Sequence, residues 1–139
     1  MTAADIMIVD DFPEWRMRMR SFLEPIPGFC VVGEAENGVE AIEKAAQLLP
    51  MIVLLDIGMP LLNGIEAAPR IRTVSPRSKI IFLTQEQDSD IRAAALATGA
   101  SAYLLKSTTI CELRRTIESL VLNQSGSPPE FVAFQAQPA

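Results

Sequence analysis

Three aspartates, a threonine and a lysine stand where this 139-residue chain could do chemistry. Asp10-Asp11 ends the apolar run Ile6-Met7-Ile8-Val9, and Asp56 ends Met51-Ile52-Val53-Leu54-Leu55. Thr84 ends Ile80-Ile81-Phe82-Leu83, and Lys106 ends Ala102-Tyr103-Leu104-Leu105. In an open parallel sheet the carboxyl ends of the strands share one edge, where ligands bind. Three carboxylates brought together there repel one another unless protons or a cation intervene. Hard oxygen ligands suit Mg²⁺ or Mn²⁺, commonly shared with a phosphate. Lys106 and Thr84 can then hold phosphate oxygens by charge and hydrogen bond. A carboxylate beside the metal can accept a phosphoryl group as an aspartyl phosphate. Singly, each residue has a plainer reading: an aspartate before a helix is often a cap, and a lone lysine is often solvated. The complementary set at four strand ends favours the site.

Composition narrows the chemistry further. The chain has no histidine, which excludes Ser-His-Asp triads and imidazole metal sites, and it cannot itself carry a phosphohistidine. A net charge of −5 argues against nucleic-acid binding by these residues. Cys30 and Cys111 lack any C-x-x-C pairing and are expected as buried or half-buried free thiols in a reducing compartment. No apolar run approaches the ~18 residues of a membrane span. Met-Thr-Ala-Ala-Asp at the N-terminus lacks the basic start and apolar stretch of a signal peptide. A cytoplasmic protein is expected.

The elements that must position these residues are legible from period. The apolar runs above, with Cys30-Val31-Val32, are short, β-branched and non-alternating, as strands buried on both faces read. Between them lie helical stripes: Trp15, Met19, Phe22, Leu23; then Val39, Ile42, Ala46, Leu49; and Ile110, Leu113, Ile117, Leu120, Val121. Weaker helices are expected near 64–73 and 88–98, with Asn37-Gly38 opening the second helix and Gly99 closing the fourth. Strand and helix thus alternate five times, which predicts an α/β, doubly wound three-layer sandwich. Residues 1–122 form the domain. Residues 123–139, opening Asn-Gln-Ser-Gly-Ser-Pro-Pro, read as a flexible, linker-like tail.

These residues resemble the receiver domains of two-component response regulators, the CheY-like family, nearest its LuxR/NarL-like subgroup. The resemblance rests on Ile-Met-Ile-Val-Asp10-Asp11, Leu-Leu-Asp56-Ile-Gly-Met59-Pro60-Leu-Leu-Asn63-Gly64, Ile-Ile-Phe-Leu-Thr84 and Gly99-Ala-Ser-Ala-Tyr103-Leu-Leu-Lys106. It covers about residues 1–122 and implies a flavodoxin-like (βα)5 fold with a five-stranded parallel sheet in the order 2-1-3-4-5. It implies that Asp56 accepts a phosphoryl group from a sensor histidine kinase. Asp11, Asp56 and the Gly58 carbonyl would ligate Mg²⁺, with Asp10 assisting through water. Lys106 would bind the phosphoryl group. Thr84 and Tyr103 would turn inward as a switch, reshaping the face made by the fourth helix, fifth strand and fifth helix. Its catalytic part lies in its own phosphorylation and dephosphorylation, so it is no metabolic enzyme. Output through a missing C-terminal DNA-binding domain would make the parent a transcription regulator. Homodimer formation is left open, and no membrane partner is implied.

Three positions depart from the family pattern. Gln85 stands where a small residue is usual and is expected to narrow access to Asp56. Ser107 replaces a common proline, and its preceding bond is expected trans, since cis would cost about 2.5–4 kcal/mol. Pro69 is expected to kink or shorten the third helix. Gln85 and Ser107 lend some support to a competing reading, a phosphate-independent pseudo-receiver acting as a protein-interaction module. A phosphatase or mutase of the haloacid-dehalogenase type needs Asp-x-Asp after its first strand. Here Ile57-Gly58 follows Asp56. A flavin site lacks its hydroxyl- and glycine-rich loop after the first strand.

Overall fold

A computed structural model describes residues 3–122. The tail expected at 123–139 lies outside the described residues. Five strands, β1 (Ala4–Val9), β2 (Phe29–Ala35), β3 (Ile52–Leu55), β4 (Lys79–Thr84) and β5 (Ala102–Leu105), alternate with five helices. The helices are α1 (Pro13–Leu23), α2 (Gly38–Leu48), α3 (Gly64–Val74), α4 (Ser89–Ala97) and α5 (Ile110–Leu122). Every strand pair is parallel, and the order is β2-β1-β3-β4-β5. The fold class expected from the sequence is the one observed.

The continuous apolar strands are buried on both faces because successive side chains point to opposite sides. Met7, Val9, Val53, Leu55, Ile80 and Phe82 pack with α2, α3 and α4. Their neighbours Ile6, Ile8, Ile52, Leu54, Ile81 and Leu83 pack with α1 and α5. Asn37 caps α2, its side chain accepting from the Glu40 amide at 2.8 Å. Gly99, at φ 91°, closes α4 in the left-handed region that favours glycine.

Four expectations need correction. The stripe on α2 is displaced: Ala41 and Ala45 are buried, whereas Val39, Ala46 and Leu49 are exposed. Ala41 and Ala45 face inward where α2 packs on α3, while Ile42 of the expected stripe is partly buried against the same core. Phe22 of α1 is likewise exposed. β2 is an edge strand, so Val31 and Val32 are only half-buried and Cys30 is an exposed free thiol, and Cys111 on α5 is exposed as well. Finally, α3 is not shortened by Pro69 and runs to Val74. An Asn63/Glu66 capping box fixes its first turn, and Pro69 sits on the solvent side, where its ring clears the core. The Lys106–Ser107 bond is trans, as expected.

β2 is held to α1 by charge. Arg16 Nε and Arg20 Nε donate to the two carboxylate oxygens of Glu34 at 2.9 and 2.8 Å. Burial alone would raise the Glu34 carboxyl, but the hydrogen bonds from Arg20 and Arg16 outweigh it and hold its pKa below the ordinary value. A carboxyl depressed in the folded state adds stability above its unfolded value, and that stability is lost as pH falls through the folded one. Glu34→Gln is therefore expected to cost about 1 kcal/mol near pH 7, a figure discounted for partial exposure. Urea unfolding of both proteins checks this. The difference should shrink steadily as pH is lowered below about 4.5.

Candidate functional site

The strand ladders continue one residue past β1, β3 and β5 and thereby aim the functional side chains. The Asp10 amide donates to the Ala35 carbonyl at 3.0 Å, the Asp56 amide to Val9 at 3.0 Å and the Lys106 amide to Thr84 at 2.8 Å. Asp10, Asp56, Thr84 and Lys106 therefore meet at the carboxyl edge of the sheet. Asp10, Asp11 and Asp56 each offer a carboxylate oxygen within 4.8 Å of the others. Asp10 and Asp56 are buried, and Asp11 is half-buried.

Neither Asp10 nor Asp56 caps a helix. Phe12 stands at the N-cap of α1 and Asn63 at that of α3. Instead, Asp10 Oδ1 accepts from the Phe12 amide at 2.9 Å and Asp56 Oδ1 from the Ile57 amide at 2.8 Å. Lys106 Nζ lies 2.7 Å from Asp10 Oδ2 and 3.7 Å from Asp56 Oδ2, its side chain nearly enclosed. Burial raises the Asp56 pKa, and the Asp10 charge adds to it. Lys106, a hydrogen bond from Thr84 and the Ile57 amide oppose the rise. The site is thus a crowded anionic pocket with one cation inside. Asp11 Oδ1 is buried without a hydrogen-bond partner, so the pocket presents an unsatisfied hard oxygen beside two further carboxylates. That donor set fits Mg²⁺ or Mn²⁺.

The response regulator receiver domain model matches residues 6–118. The chain belongs to this family. LnrK of Bacillus subtilis (strain 168), a transcriptional regulatory protein, is 38% identical over 128 residues, which cover 92% of this chain and 58% of that protein. NarL of Escherichia coli K12, a nitrate/nitrite response regulator, is 31% identical over 98% of this chain and 65% of that protein. The receiver chain spans about three fifths of these curated relatives. A LuxR-family two-component response regulator of Aurantimonas sp. SI85-9A1 superposes with a TM-score of 0.82 at 36% identity, covering 88% of this chain and 87% of that one. The receiver domain of NarL from Mycobacterium tuberculosis does so with a TM-score of 0.79 at 27% identity, covering 91% and 100%. The LuxR/NarL likeness of the sequence is thus upheld.

In this receiver, Thr84 and Tyr103 converge on one residue of the β4–α4 loop. Thr84 Oγ1 accepts from the Glu86 amide at 3.2 Å, and the Tyr103 hydroxyl donates to the Glu86 carbonyl at 2.6 Å. Tyr103 is buried, its ring 6.2 Å from that of Phe82. Burial, with the nearby Glu86 charge, pushes its phenol pKa up. Gln85 is exposed and, with Lys106, lines a surface cavity to which none of the three aspartates contributes.

Some residues of the site were not legible by spacing. Arg16 donates through Nη1 to the Asp10 carbonyl at 2.6 Å and so braces the acidic turn. Its partner Glu34 lies 18 positions away, and no local pattern pairs them. Gly64 is a second case. Its amide donates to Ile57 at 2.9 Å, and a Cβ there would overlap the Asp56 carbonyl oxygen. Gly58 differs, since a Cβ would meet nothing within 4 Å. Gly64→Ala is expected to destabilise the domain by about 2 kcal/mol or more, because the obstacle is backbone. Gly58→Ala should cost far less. Paired urea midpoints test the contrast, and equal losses would contradict it.

The described residues contain no helix long and apolar enough to cross a membrane.

Proposed function

We propose that the chain is the phosphoryl-accepting switch of a two-component system, with Asp56 as the acceptor. The observation that carries this reading is the Asp10/Asp11/Asp56 cluster with Lys106 ion-paired inside it. An Asp56 carboxylate oxygen attacks the phosphorus of a phosphohistidine on a partner sensor kinase. A P–O bond forms, the donor's P–N bond breaks, and the leaving imidazole takes up a proton. Asp11 and Asp56, with the Gly58 carbonyl, would hold Mg²⁺, and Asp10 would assist through water. Bound there, the metal neutralises charge on the acceptor and the phosphoryl oxygens. Lys106 pairs with a phosphoryl oxygen by moving the short distance from Asp10. With no histidine in this chain, the donor imidazole belongs to another protein.

Thr84 supports the switch reading. Its hydroxyl accepts from the Glu86 amide and favours the charged Asp56 carboxylate, so a phosphoryl group on Asp56 would compete for it. Tyr103 holds the same loop by the Glu86 carbonyl. Local charge at Asp56 thereby biases the β4–α4 loop and the α4-β5-α5 face. We place the working protein in the cytoplasm, with transcription as its output through a DNA-binding domain beyond these residues. The domain then spans 1–122 and the linker-like tail 123–139.

The test is incubation with acetyl phosphate and Mg²⁺, followed by intact mass. One phosphoryl increment is expected, with quenching of the single tryptophan, Trp15, when Mg²⁺ binds. An unaltered mass with acetyl phosphate and with a cognate kinase would leave the pseudo-receiver reading instead.

A further inference from the structure

Lys106 does more than bridge carboxylates: its ammonium is also capped by aromatic faces. Nζ lies 4.7 Å from the centroid of the Trp15 ring and 5.7 Å from that of Phe12. Both distances fall inside the range of cation–π attraction, for which tryptophan is the best partner. The aromatics come from the loop and first turn after Asp10-Asp11, and Lys106 from the far side of the sheet edge. The ammonium thus stands within reach of Asp10, Asp56 and two aromatic rings at once.

The arrangement is functionally placed. Trp15 is half-buried and lines a surface cavity with Phe12, Glu14, Arg18, Gln85 and Lys106, so Lys106 joins that cavity to the acidic cluster. Phe12 is 56% exposed, an apolar ring beside that cavity with little core to fill. A flexible four-carbon stem would otherwise let the ammonium wander toward water. Removal of water by flanking rings also strengthens the attraction between that ammonium and any anion beside it.

We propose that Trp15, seconded by Phe12, is a positioning residue for phosphoryl binding: its π-face holds the Lys106 ammonium over Asp10 and Asp56, ready for a phosphoryl oxygen. The proposal rests on the receiver reading above. Trp15 acts through Lys106 and need not touch the phosphoryl group.

The sole tryptophan of the chain makes a clean test feasible. Biosynthetic replacement with mono-, di- and trifluorotryptophan changes only position 15, drains the π-face stepwise and hardly alters the ring's size. The readout is beryllofluoride affinity in Mg²⁺, backed by the rate of phosphorylation from acetyl phosphate. Affinity is expected to fall with each added fluorine, to several-fold below the native value for the trifluoro protein. Trp15→Phe should retain part of it and Trp15→Leu the least. A second readout needs neither metal nor phosphate: the Lys106 ε-methylene protons should carry an upfield ring-current shift that Trp15→Leu abolishes. Thermal midpoints of the fluorinated proteins should stay level, which separates positioning from folding. Should Trp15→Leu fail to fold, the fluorinated series still decides.

A flat affinity across the fluorine series, in a protein that binds beryllofluoride normally, overturns the positioning role and leaves the receiver reading intact. Absence of any ring-current shift at Lys106 overturns it as well. A native protein that takes neither beryllofluoride nor phosphoryl group overturns the receiver reading first, and the positioning role with it.

Discussion

Asp56→Asn is expected to abolish the phosphoryl adduct while leaving the fold in place. The change keeps the volume and the local acceptor of the Ile57 amide, since an amide oxygen can take the place of Asp56 Oδ1. It removes the nucleophile, because an amide does not attack phosphorus usefully. It also removes one of two buried like charges that raise each other's cost. The variant should therefore be at least as stable as the native protein in metal-free buffer. Intact mass after acetyl phosphate and Mg²⁺, with urea unfolding alongside, reads both. A full adduct on Asp56→Asn would move the acceptor elsewhere and sink the assignment of Asp56.

Lys106→Met carries the second large effect, with opposite signs on two measurements. Without Mg²⁺ the variant leaves Asp10 and Asp56 buried together with no cation. Breaking a buried pair by removing one partner typically costs about 3–5 kcal/mol, so the metal-free domain should unfold at markedly lower urea. The Asp56 carboxyl loses a charge that lowers its pKa and should titrate still higher. Mg²⁺ affinity should rise, by roughly tenfold, because the resident cation no longer competes for the carboxylates. Added Mg²⁺ should restore much of the lost stability by linkage. Beryllofluoride should bind weakly to the same variant, since the group that pairs with it is gone. Calorimetric titration of Mg²⁺ into both proteins tests this. An unchanged affinity would mean that Lys106 does not share the acidic oxygens with the metal.

Much of the architecture was legible because it depends on local period. Continuous β-branched runs bury both faces only in a covered parallel sheet, and helical stripes between them require crossovers. Alternation then brings the strand ends to one edge, which puts Asp10, Asp56, Thr84 and Lys106 together from sequence alone. The α2 stripe shows where period fails. Val39 and Leu49 fit a helical spacing as well as Ala41 and Ala45 do, and hydrophobicity favours the larger set. Packing buried the smaller Ala41 and Ala45 fully, with Ile42 partly covered, and left Val39 and Leu49 outside. Cys30 was misplaced for a related reason: apolar runs look alike on central and edge strands, and only topology makes β2 an edge.

What the sequence by itself determined is therefore the class of fold, the set of chemical groups and the edge at which they gather. Residue type and period carry that information without any long-range contact. Tertiary structure alone decided which groups touch. It set Lys106 against Asp10 at 2.7 Å and farther from Asp56. It braced the acidic turn with Arg16 and Glu34, left Asp11 Oδ1 unsatisfied, and laid the Trp15 ring over the lysine ammonium. The Lys106 contacts with Asp10, Asp56 and Trp15, and the Arg16–Glu34 pair, are distances between chain segments remote in sequence. Such distances follow from the twist and packing of the whole sheet, and no local pattern of residues records them.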